Sequence, residues 1–545
     1  MNSRCMHRRP LPARPRVLVL EWNLPFHIDV ARRLAECHGW DFVYWVGDGA
    51  TFGVKVRECF PDIIFHDTVD ARYGRPPPEL PDLQPHPFDE PMARNLAYEQ
   101  TLILKMMDRI ELEESFGFRE RVRLFHHLAT WWAALLDHIK PDIMMIPTAP
   151  HVVYDYVVYA LCRRRGICTA IFENAGIPGM LLPAPEFEVG FPELVAKYRD
   201  LLACTGPDEP ISLSAHAEAY LATTRGAYVK PHEMTRFERI YALPIRERIA
   251  WHHWHNLGKI VHVGRYPLYV AHLFRKLRRS LVWLRYGSAN SGRRISGFYH
   301  GRLLVLGEGT PDEEARHNRW VTRRLLELRK DYEYRTAPVD LSANFIYLPL
   351  HVQPERSTSP NGGVYDHPEL VIEALIRSLP PGWCVYVKEH PSQFAPWQIG
   401  ERGRRFSDYD AITRSACVRL VPLDVNPFDL IDRARAVATI TGTAGWEAIA
   451  REVPVLCFGI AWYQGCDGVF DVRRLEDLHF AIECVAKGVK PSLNRVRLFL
   501  KAVELTGIRA FIDEEARDIS DLSEAENIDV LADGLARMIN DQVYN

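Results

Sequence analysis

The alternation of short apolar runs with helical segments constrains the fold of this 545-residue chain more than any other feature. Apolar runs at 16–22, 41–48, 141–148 and 167–176, the last with its loop, are predicted strands, and segments with apolar residues at helical spacing separate them. Strands that alternate with helices form a parallel sheet, because each parallel connection needs a crossover of about a dozen residues or more. We therefore predict one Rossmann-like domain over residues 16–206.

The same alternation returns after residue 300. A long helix is predicted at 312–335, and the run at 301–308 is a further candidate strand. The other predicted strands, some with the loop that follows them, lie at 344–355, 383–391, 417–423, 436–445 and 454–459. The chain is too long for one hydrophobic core. We predict an α/β protein in which a second Rossmann-like domain, 301–471, faces the first across a cleft and helices over 472–545 follow.

Residues 207–300 separate the two predicted domains and differ from them in composition. They are rich in Arg, His, Trp and Tyr, show helical periodicity and lack a clear strand pattern, so we predict a basic helical insertion. Its segment 269–287 is basic and amphipathic. Two interpretations stay open, attachment to an anionic membrane surface and an interdomain helix with a solvated basic face. The basic, proline-rich residues 1–15 are predicted to be a disordered leader.

Charge and cysteine usage exclude several classes of protein. The formal net charge is −3, and no RNA-binding signature or zinc-finger spacing is present, so we expect no nucleic-acid partner. Eleven cysteines without a C-x-x-C pair indicate reduced thiols in a cytoplasmic protein. No stretch approaches the roughly 20 apolar residues of a membrane span.

A histidine follows a predicted strand in the stretch KEHPSQ (388–393). A neutral imidazole accepts a hydrogen bond, whereas a protonated one donates to a phosphate or gives its proton to a leaving oxygen. Pro391 fixes the backbone after the histidine. Open parallel sheets bind ligands beyond the carboxyl ends of their strands. We therefore predict that His390 and Lys388 meet a phosphate; a structural histidine is the alternative.

Two more loops lie at predicted strand ends in the same domain. In the stretch TITGTAGWEA, Thr441 or Thr443 can cap a helix that carries Glu447, and Gly442 lets the backbone approach a ligand. A helix N-terminus with flanking hydroxyls suits a phosphate, although an ordinary helix cap is the alternative. The loop 351–363 is long and polar, which is typical either of function or of surface decoration.

In the first predicted domain, Glu173 directly follows a strand in the stretch FENAGIPGMLLPAPEFEVG (172–190). A carboxylate that faces the cleft opposite a phosphate site is placed to take a proton from an incoming hydroxyl. A loop acid that caps a turn is the alternative, and Glu186 and Glu188 are weaker candidates in the same segment.

A phosphate site and a carboxylate on opposite sides of a cleft fit the transfer of a glycosyl group from a nucleotide sugar. Such an enzyme stabilises the departing phosphate and deprotonates the acceptor. No D-x-D stands beside these loops, and no His, Cys and Asp cluster has metal-ligand spacing. We therefore expect His390, Lys388, backbone N–H groups and a helix dipole to meet the phosphate charge without a metal.

These stretches resemble the capsule polysaccharide biosynthesis family, which includes the bacterial Kdo transferases that build the lipid-linked start of capsular polysaccharide. The family's Gln-Pro motif, His-Pro motif and Gly-Thr loop fall, in that order, on Gln353-Pro354 (with Glu355 next), His390-Pro391 and Thr441 to Thr443. The similarity covers about 340–465. A thinner similarity to the family's acidic-Gly segment matches Glu173 and Gly176, with Asn174 where several members have a second acid.

The resemblance implies a GT-B fold, a CMP-activated donor such as CMP-Kdo, no metal, and a cytoplasmic enzyme that works at the inner membrane face on a lipid-linked or oligosaccharide acceptor. It implies that His390 contacts the donor's phosphate and that the Gly-Thr loop holds the nucleotide. Glu173 and His390 are thus the predicted catalytic residues. The predicted donor-binding residues are Gln353, Pro354, Glu355, Lys388, Pro391, Thr441, Gly442, Thr443 and Glu447.

Three other functions stay open on the sequence. A CDP-glycerol glycerophosphotransferase of teichoic-acid type also uses histidines near a phosphate and a polar loop before a helix. A non-catalytic polysaccharide-binding or export-coupling protein would keep the fold without nucleotide affinity. A nucleotide-sugar epimerase would recognise UDP rather than CMP and would need no acceptor.

Overall fold

A computed structural model describes residues 10–206, 209–226, 295–299, 302–306, 311–395 and 398–544. The predicted leader, 1–15, is described only from residue 10. Most of the predicted insertion 207–300, including the basic segment 269–287, lies outside the described residues.

The first lobe contains a five-stranded parallel sheet with the strand order β3-β2-β1-β4-β5. Its strands are β1 (Arg16–Leu20), β2 (Asp41–Gly47), β3 (Ile64–Asp67), β4 (Ile143–Met145) and β5 (Cys168–Ala170). The helices between them are α1 (Pro25–His38), α2 (Ala50–Cys59), α3 (Thr68–Arg72), α4 (Glu90–Asn95), α5 (Ala97–Met106), α6 (Phe118–Ile139) and α7 (Tyr154–Arg165). The strand order reverses between β1 and β4, so the topological switch point of this sheet lies there.

Strand β1 shows why the strands of the first sheet have continuous apolar sequences. Val17 and Val19 enter one core, which includes residues of α1, whereas Leu18 and Leu20 enter another, which includes residues of α6 and α7. All four side chains are fully buried. Successive side chains of a strand point to opposite faces, and both faces of this sheet are covered by helices. The predicted parallel α/β sheet is therefore confirmed.

The second lobe contains a six-stranded parallel sheet with the order β12-β11-β10-β13-β14-β15. Its strands are β10 (Phe345–Pro349), β11 (Cys384–Lys388), β12 (Val418–Leu420), β13 (Ala436–Thr439), β14 (Val455–Cys457) and β15 (Val469–Asp471). The helices are α10 (Pro311–Arg335), α11 (Pro368–Ser378), α12 (Phe406–Ile412), α13 (Pro427–Arg433) and α14 (Thr443–Ala450). The switch point lies between β10 and β13, and the prediction of a second parallel sheet is confirmed.

Two segments differ from the sequence prediction. The run at 301–308 contains β9 (Arg302–Leu306), but β9 pairs antiparallel with β8 (Ile295–Tyr299) and not with the parallel sheet. The run 167–176, predicted as a strand with its loop, contains two strands, β5 and β6 (Phe172–Asn174), and β6 pairs antiparallel with β7 (Met180–Pro183). An apolar run indicates a strand but does not identify its partner.

The described chain between the lobes and after the second sheet is mainly helical. Helices α8 (Pro192–Cys204) and α9 (Ala215–Gly226) precede β8, and α15 (Leu475–Ala486), α16 (Leu493–Thr506), α17 (Glu514–Ile519) and α18 (Glu524–Tyr544) follow β15. Short 3-10 helices lie at Met107–Ile110, Phe187–Val189, Gly363–Asp366, Pro391–Phe394 and Gly400–Arg402.

The predicted C-terminal helices, 472–545, return to the first lobe and include a strand. β16 (Ile508–Arg509) pairs with β7, and α16 packs on α8. Helix α18 packs on α1 and β5, where Gln542 exchanges two hydrogen bonds with the backbone of Thr169, at 3.2 and 2.8 Å. The apolar face of α1 is covered by this late segment, so the first lobe is larger than the predicted range 16–206.

Candidate functional site

A cavity of about 610 Å³ opens at the carboxyl edge of the second sheet. We call it the second-lobe cavity. Its walls come from the segments that follow β10, β11, β12 and β13, as expected because the carboxyl ends of parallel strands meet at one edge. Eight predicted site residues line it: Glu355, Lys388, His390, Pro391, Thr441, Gly442, Thr443 and Glu447. The predicted donor residues Gln353 and Pro354 are not among the lining residues.

His390 lies two residues after the last residue of β11, and its own loop orients the ring. Its Nδ1 accepts a hydrogen bond from the Ser392 N–H at 3.1 Å, which caps the 3-10 helix Pro391–Phe394. A neutral imidazole that accepts at Nδ1 carries its proton on Nε2 and can donate only from there. His390 therefore brings an N–H donor to the wall of the second-lobe cavity.

Lys388 brings a cation to the same wall. It is the last residue of β11 and is only 5% exposed. Burial lowers its pKa, while the carboxylates of Asp424 and Glu389 act in the opposite direction. Asp424 also lines the cavity, so part of the lysine's charge is balanced within the site.

The Gly-Thr loop begins α14 without a side-chain cap. Gly442 is the N-cap residue, and Thr443 is the first helical residue. Thr441 Oγ1 donates to Ser357 O at 2.6 Å, and Tyr463 OH donates to Gly442 O at 2.6 Å. The prediction that Thr441 or Thr443 caps the helix is wrong, because the Thr441 hydroxyl is used by the neighbouring loop and Thr443 is itself the first helical residue.

His351 was missed by the sequence reasoning, although it follows β10 as His390 follows β11. Its Nε2 accepts the Thr441 N–H at 3.3 Å, and it lines the cavity. Burial, followed by the nearby Arg404 and His390, lowers its pKa to about 3, so the ring stays neutral and can accept. A Cβ on Gly442 would lie 3.0 Å from this nitrogen, which explains the glycine there.

A buried ion pair between Arg404 and Glu389 supports both histidine loops. Arg404 Nε donates to Glu389 Oε2 at 2.8 Å, and Arg404 Nη1 donates to Gln353 Oε1 at 2.5 Å. Burial alone would lower the pKa of Arg404, but the Glu389 carboxylate raises it above its usual value. Gln353 also donates from Nε2 to Asp366 O at 2.9 Å. Gln353 thus holds the loops that form the cavity and does not itself line the wall.

Glu447 is a carboxylate on the cavity wall, one turn into α14. It is 5% exposed, and burial raises its pKa to about 7, with Arg451 acting in the opposite direction. Among the described residues, no hydrogen bond to this carboxylate is present. A buried carboxylate at a cavity wall is suited to accept hydrogen bonds from the hydroxyls of a ligand.

A second cavity of about 430 Å³ lies in the first lobe, at the switch point between β1 and β4. We call it the first-lobe cavity. Its polar lining residues are Glu21, Asn23, His27, Thr148, His151, Asn174, Arg356 and Asp513. Arg356 comes from the second lobe and Asp513 from the returning C-terminal segment, so three parts of the chain form this cavity.

The tripeptide Glu355 to Ser357 separates the two cavities. Glu355 and Ser357 line the second-lobe cavity, whereas Arg356 lines the first-lobe cavity. The Arg356 guanidinium forms an ion pair with Glu173 across the lobe interface. The two cavities are therefore neighbours in the cleft between the lobes.

The sequence suggested that Glu173 directly follows a strand, but the residue lies within β6. Phe172 and Asn174 line the first-lobe cavity, and a strand sends successive side chains to opposite faces, so Glu173 points away from it. The weaker candidates lie elsewhere: Glu186 pairs with Arg163, and Glu188 accepts from Tyr159 OH. Burial raises the pKa of Glu188.

Two further findings concern the part of the chain that the structure describes. Within it, no group of three or more His, Cys, Asp or Glu side chains is placed to hold a metal ion. In the same residues, no helix combines the length and the apolar character needed to cross a bilayer.

Residues 314–487 match the model of a family described as capsule polysaccharide biosynthesis protein. This range contains all residues that line the second-lobe cavity, from Tyr347 to Glu447. The predicted resemblance to the capsule polysaccharide biosynthesis family is confirmed. The family match includes the His-Pro motif, the Gly-Thr loop and the Arg404–Glu389 pair, and it leaves the first-lobe sheet outside. No curated protein sequence matches the chain.

Similar solved structures include two from Thermosulfurimonas dismutans. KpsC, beta Kdo 2,7 transferase, is 19% identical with a TM-score of 0.21, over 39% of this chain and 61% of that chain. KpsC, beta Kdo 2,4 transferase, is 20% identical with a TM-score of 0.23, over 42% and 64%. The chain thus spans less than two thirds of either. A glycosyltransferase from Rickettsia africae ESF-5 is 9% identical with a TM-score of 0.22, over 98% and 100%.

Proposed function

We propose that the protein is a glycosyltransferase of capsular or surface polysaccharide biosynthesis. It transfers a Kdo-like sugar from a CMP-activated donor to a lipid-linked or glycan acceptor. The observation that supports this proposal is the second-lobe cavity, where Lys388, His390 and the start of α14 meet within the residues that match the family. Those three features suit the phosphate of a nucleotide, and a cavity of about 610 Å³ has room for the nucleoside as well.

The phosphate is bound by positive charge and by N–H donors. The Lys388 ammonium and the His390 Nε2–H approach it from the end of β11, and the first N–H groups of α14 approach it from the Gly-Thr loop. A helix N-terminus carries a partial positive charge and free N–H groups, which stabilise an anion. These groups stabilise the charge that develops as the sugar–phosphate bond breaks. We propose that no metal is needed for this.

The nucleoside occupies the rest of the cavity. Glu447, about one helical turn from the phosphate site, accepts hydrogen bonds from the ribose hydroxyls. The segment from β12 to the start of α13 contributes the apolar walls Leu423, Val425 and Pro427, against which the base packs. The base thus lies in a more apolar region than the phosphate, which is usual for nucleotide sites.

The acceptor approaches from the first lobe. We propose that its sugar enters the first-lobe cavity and that a carboxylate of that lobe takes the proton of its hydroxyl. Glu173, the residue predicted from sequence, is one candidate, and Glu21 is the other. In the cell the reaction takes place in the cytoplasm, at the inner face of the membrane, with segment 269–287 as the proposed membrane contact.

Nucleotide-dependent thermal stabilisation tests the proposal. The melting temperature is measured with CMP, CDP, UDP and GDP, because a ligand at about one hundred times its dissociation constant stabilises the fold by roughly 2.7 kcal/mol. We expect CMP to raise it, and we expect His390→Ala to remove most of that shift. Product analysis with CMP-Kdo and with CDP-glycerol then identifies the transferred group.

Each alternative function has its own outcome in these experiments. Transfer from CDP-glycerol would indicate a glycerophosphotransferase, and selective stabilisation by UDP without need of an acceptor would indicate an epimerase. No stabilisation by any of the four nucleotides would contradict the proposal and favour a non-catalytic polysaccharide-binding protein.

A further inference from the structure

Glu21 stands at the point where the first sheet changes direction. It directly follows β1, and Thr148, which comes after the neighbouring β4, lines the same cavity. The crevice between two such strand ends is where open α/β sheets bind their ligands. The cavity therefore lies where a substrate of the first lobe is expected, and Glu21 is part of its wall.

The backbone of Glu21 is held in a conformation that a glutamate rarely adopts. Its φ is +56°, in the left-handed region, which costs residues other than glycine roughly 1–2 kcal/mol. Glycine or asparagine would fit this turn with less strain. Strained residues concentrate at functional sites, where the function of the side chain requires that residue despite the strain. Val153, which precedes α7 on the other side of the switch point, has a φ of +81°.

The Glu21 carboxylate is oriented but still able to accept. Tyr154 OH donates to its Oε1 at 2.6 Å. Burial, with Glu21 next to it, raises the pKa of Tyr154 well above its usual value, so the phenol stays a donor. The contacts of Oε2 are longer, 3.4 Å to Asn23 Nδ2 and 3.9 Å to Arg72 Nη2. Because a carboxylate has about four acceptor positions, Oε2 can bind another hydroxyl.

The other carboxylates nearby are less suitable. Asp513 Oδ1 accepts the Ala516 N–H at 2.7 Å as the cap of α17, and its Oδ2 accepts from Asn174 at 3.4 Å. Glu173 is bound by Arg356 and lies on the face of β6 that points away from the cavity. Asp513 thus serves as the cap of α17, whereas Glu21 lines the cavity at the switch point of the sheet and keeps Oε2 for a ligand.

We propose that Glu21 is the general base that accepts the proton of the acceptor hydroxyl. This inference rests on the proposed glycosyl transfer. In the reaction, the hydroxyl proton passes to Glu21 Oε2 and the hydroxyl oxygen bonds to the anomeric carbon of the donor. The bond between that carbon and the CMP phosphate breaks, and its electron pair leaves with CMP. No oxidant or further reactant takes part.

The chemistry around Glu21 fits a sugar ring as the acceptor group. Asn23, Asn174 and Thr148 offer amides and a hydroxyl, which bind sugar hydroxyls in either direction. His27 and His151 are neutral, because burial lowers the pKa of each to about 3. The positive charge of Arg356 is countered by Glu173. The amides, neutral histidines and nearby apolar side chains thus suit a polar ring with hydroxyls.

The test compares Glu21→Gln with wild type, using CMP-Kdo as the donor probe and a panel of methyl glycosides as acceptor probes. The amide keeps an oxygen for Tyr154 and removes the basic group. Transfer is expected to fall by about 10²–10⁴-fold in kcat, with CMP binding changed less than twofold. Adding formate to Glu21→Ala is expected to raise the transfer rate of this variant at least tenfold. Formate would not raise the rate if the role of Glu21 were merely structural. Hydrolysis of the donor, with water as acceptor, is measured alongside.

The matched control is Glu58→Gln, an exposed glutamate on α2, which should keep the wild-type rate. If Glu21→Gln transfers at the wild-type rate, the assignment of Glu21 is wrong while the proposed function stands. If wild type neither transfers nor hydrolyses CMP-Kdo and no nucleotide stabilises it, both fail. Should Glu21→Gln melt early, Glu21→Asp takes its place. If Glu21 is the general base, Glu21→Asp should have a lower kcat at unchanged KM. Transfer by Glu21→Asp at the wild-type rate would overturn the assignment.

Discussion

Arg404 and Glu389 form an ion pair in which both side chains are almost fully buried, with 1% and 0% exposure and 2.8 Å between Nε and Oε2. The guanidinium also holds the backbone oxygen of His351 at 3.0 Å, and the carboxylate accepts the His390 N–H at 2.9 Å. One pair thus fixes the two loops that carry both cavity histidines. The geometry of the proposed phosphate site thus depends on a pair of side chains that are almost fully buried.

Arg404→Met is expected to destabilise the protein and to abolish nucleotide binding. Removing one partner of a buried ion pair leaves the Glu389 charge unpaired, which costs about 3–5 kcal/mol. The urea midpoint and the CMP-dependent melting shift measure the two effects. Arg323→Met is the control, because Arg323 belongs to an exposed pair with Glu327 that contributes about 0–1 kcal/mol. A loss below about 1 kcal/mol for Arg404→Met would contradict the role given to this pair.

The variant His390→Asn separates the structural role of His390 from its chemical role. The Asn oxygen can still accept the Ser392 N–H, which Nδ1 does in wild type, but the Nε2–H is lost. We expect the melting temperature to stay within about 2 °C and kcat to fall about 10²-fold or more. His479→Asn, on the exposed surface of α15, should leave both unchanged. An active His390→Asn variant would refute the contact between His390 and the phosphate.

Gly442→Ala tests the fit between the Gly-Thr loop and its neighbours. The added methyl would lie 3.0 Å from His351 Nε2 and 3.0 Å from Thr439 Oγ1, so the loop has to shift at the start of α14. We expect CMP affinity, measured by calorimetry, to fall at least tenfold. Gly226→Ala, where nothing lies within 4 Å of the new methyl, should bind CMP normally. Equal affinity for both variants would show that the loop does not contact the nucleotide.

Glu447→Gln should have opposite effects on stability and on binding. The pKa of Glu447 is raised to about 7 in the fold, so the native state keeps a proton that the unfolded chain releases near pH 4.5. The contribution of Glu447 to stability is therefore present below pH 4.5 and is lost as the pH rises through about 7. Glutamine avoids this loss, so Glu447→Gln should be more stable than wild type at pH 8, by up to roughly 3 kcal/mol, and nearly equal at pH 4.5.

Melting curves of Glu447→Gln and wild type at pH 4.5 and 8 measure this difference, and CMP titration measures binding. The variant should bind CMP at least tenfold more weakly, because the amide accepts fewer ribose hydrogen bonds than the carboxylate. A stability difference that is the same at both pH values would contradict the assigned pKa. Undiminished CMP affinity would remove Glu447 from the ribose site.

The parallel sheets could be predicted because their signals are local. Each apolar strand and the helix after it form a periodic pattern within about thirty residues. Contacts between distant segments leave no such pattern. His27 Nε2 lies 2.9 Å from Ile512 O, although 485 positions separate them, and β16 pairs Ile508 with Leu181 of β7, which is also far away along the chain. For this reason the first lobe was assigned without the C-terminal residues that complete it.

The second-lobe cavity could be predicted for the same local reason, since its residues follow neighbouring parallel strands. The role of Gln353 could not, because it depends on Arg404, which lies in a distant loop with no distinctive spacing. Glu21 was missed because the predicted strand 16–22 included it, whereas β1 ends at Leu20. A charged residue at the end of an apolar strand was the signal, and its left-handed backbone is visible only in three dimensions.

Helix α18 has a consequence for synthesis of the chain. The ribosome synthesises β1 and α1 long before α18, yet α18 packs on α1 and contacts β5. Meanwhile the second lobe, whose sheet lies between residues 345 and 471, can already have formed. The lobe that is begun first is therefore finished last, and a nascent chain that lacks α18 exposes apolar side chains to which chaperones bind.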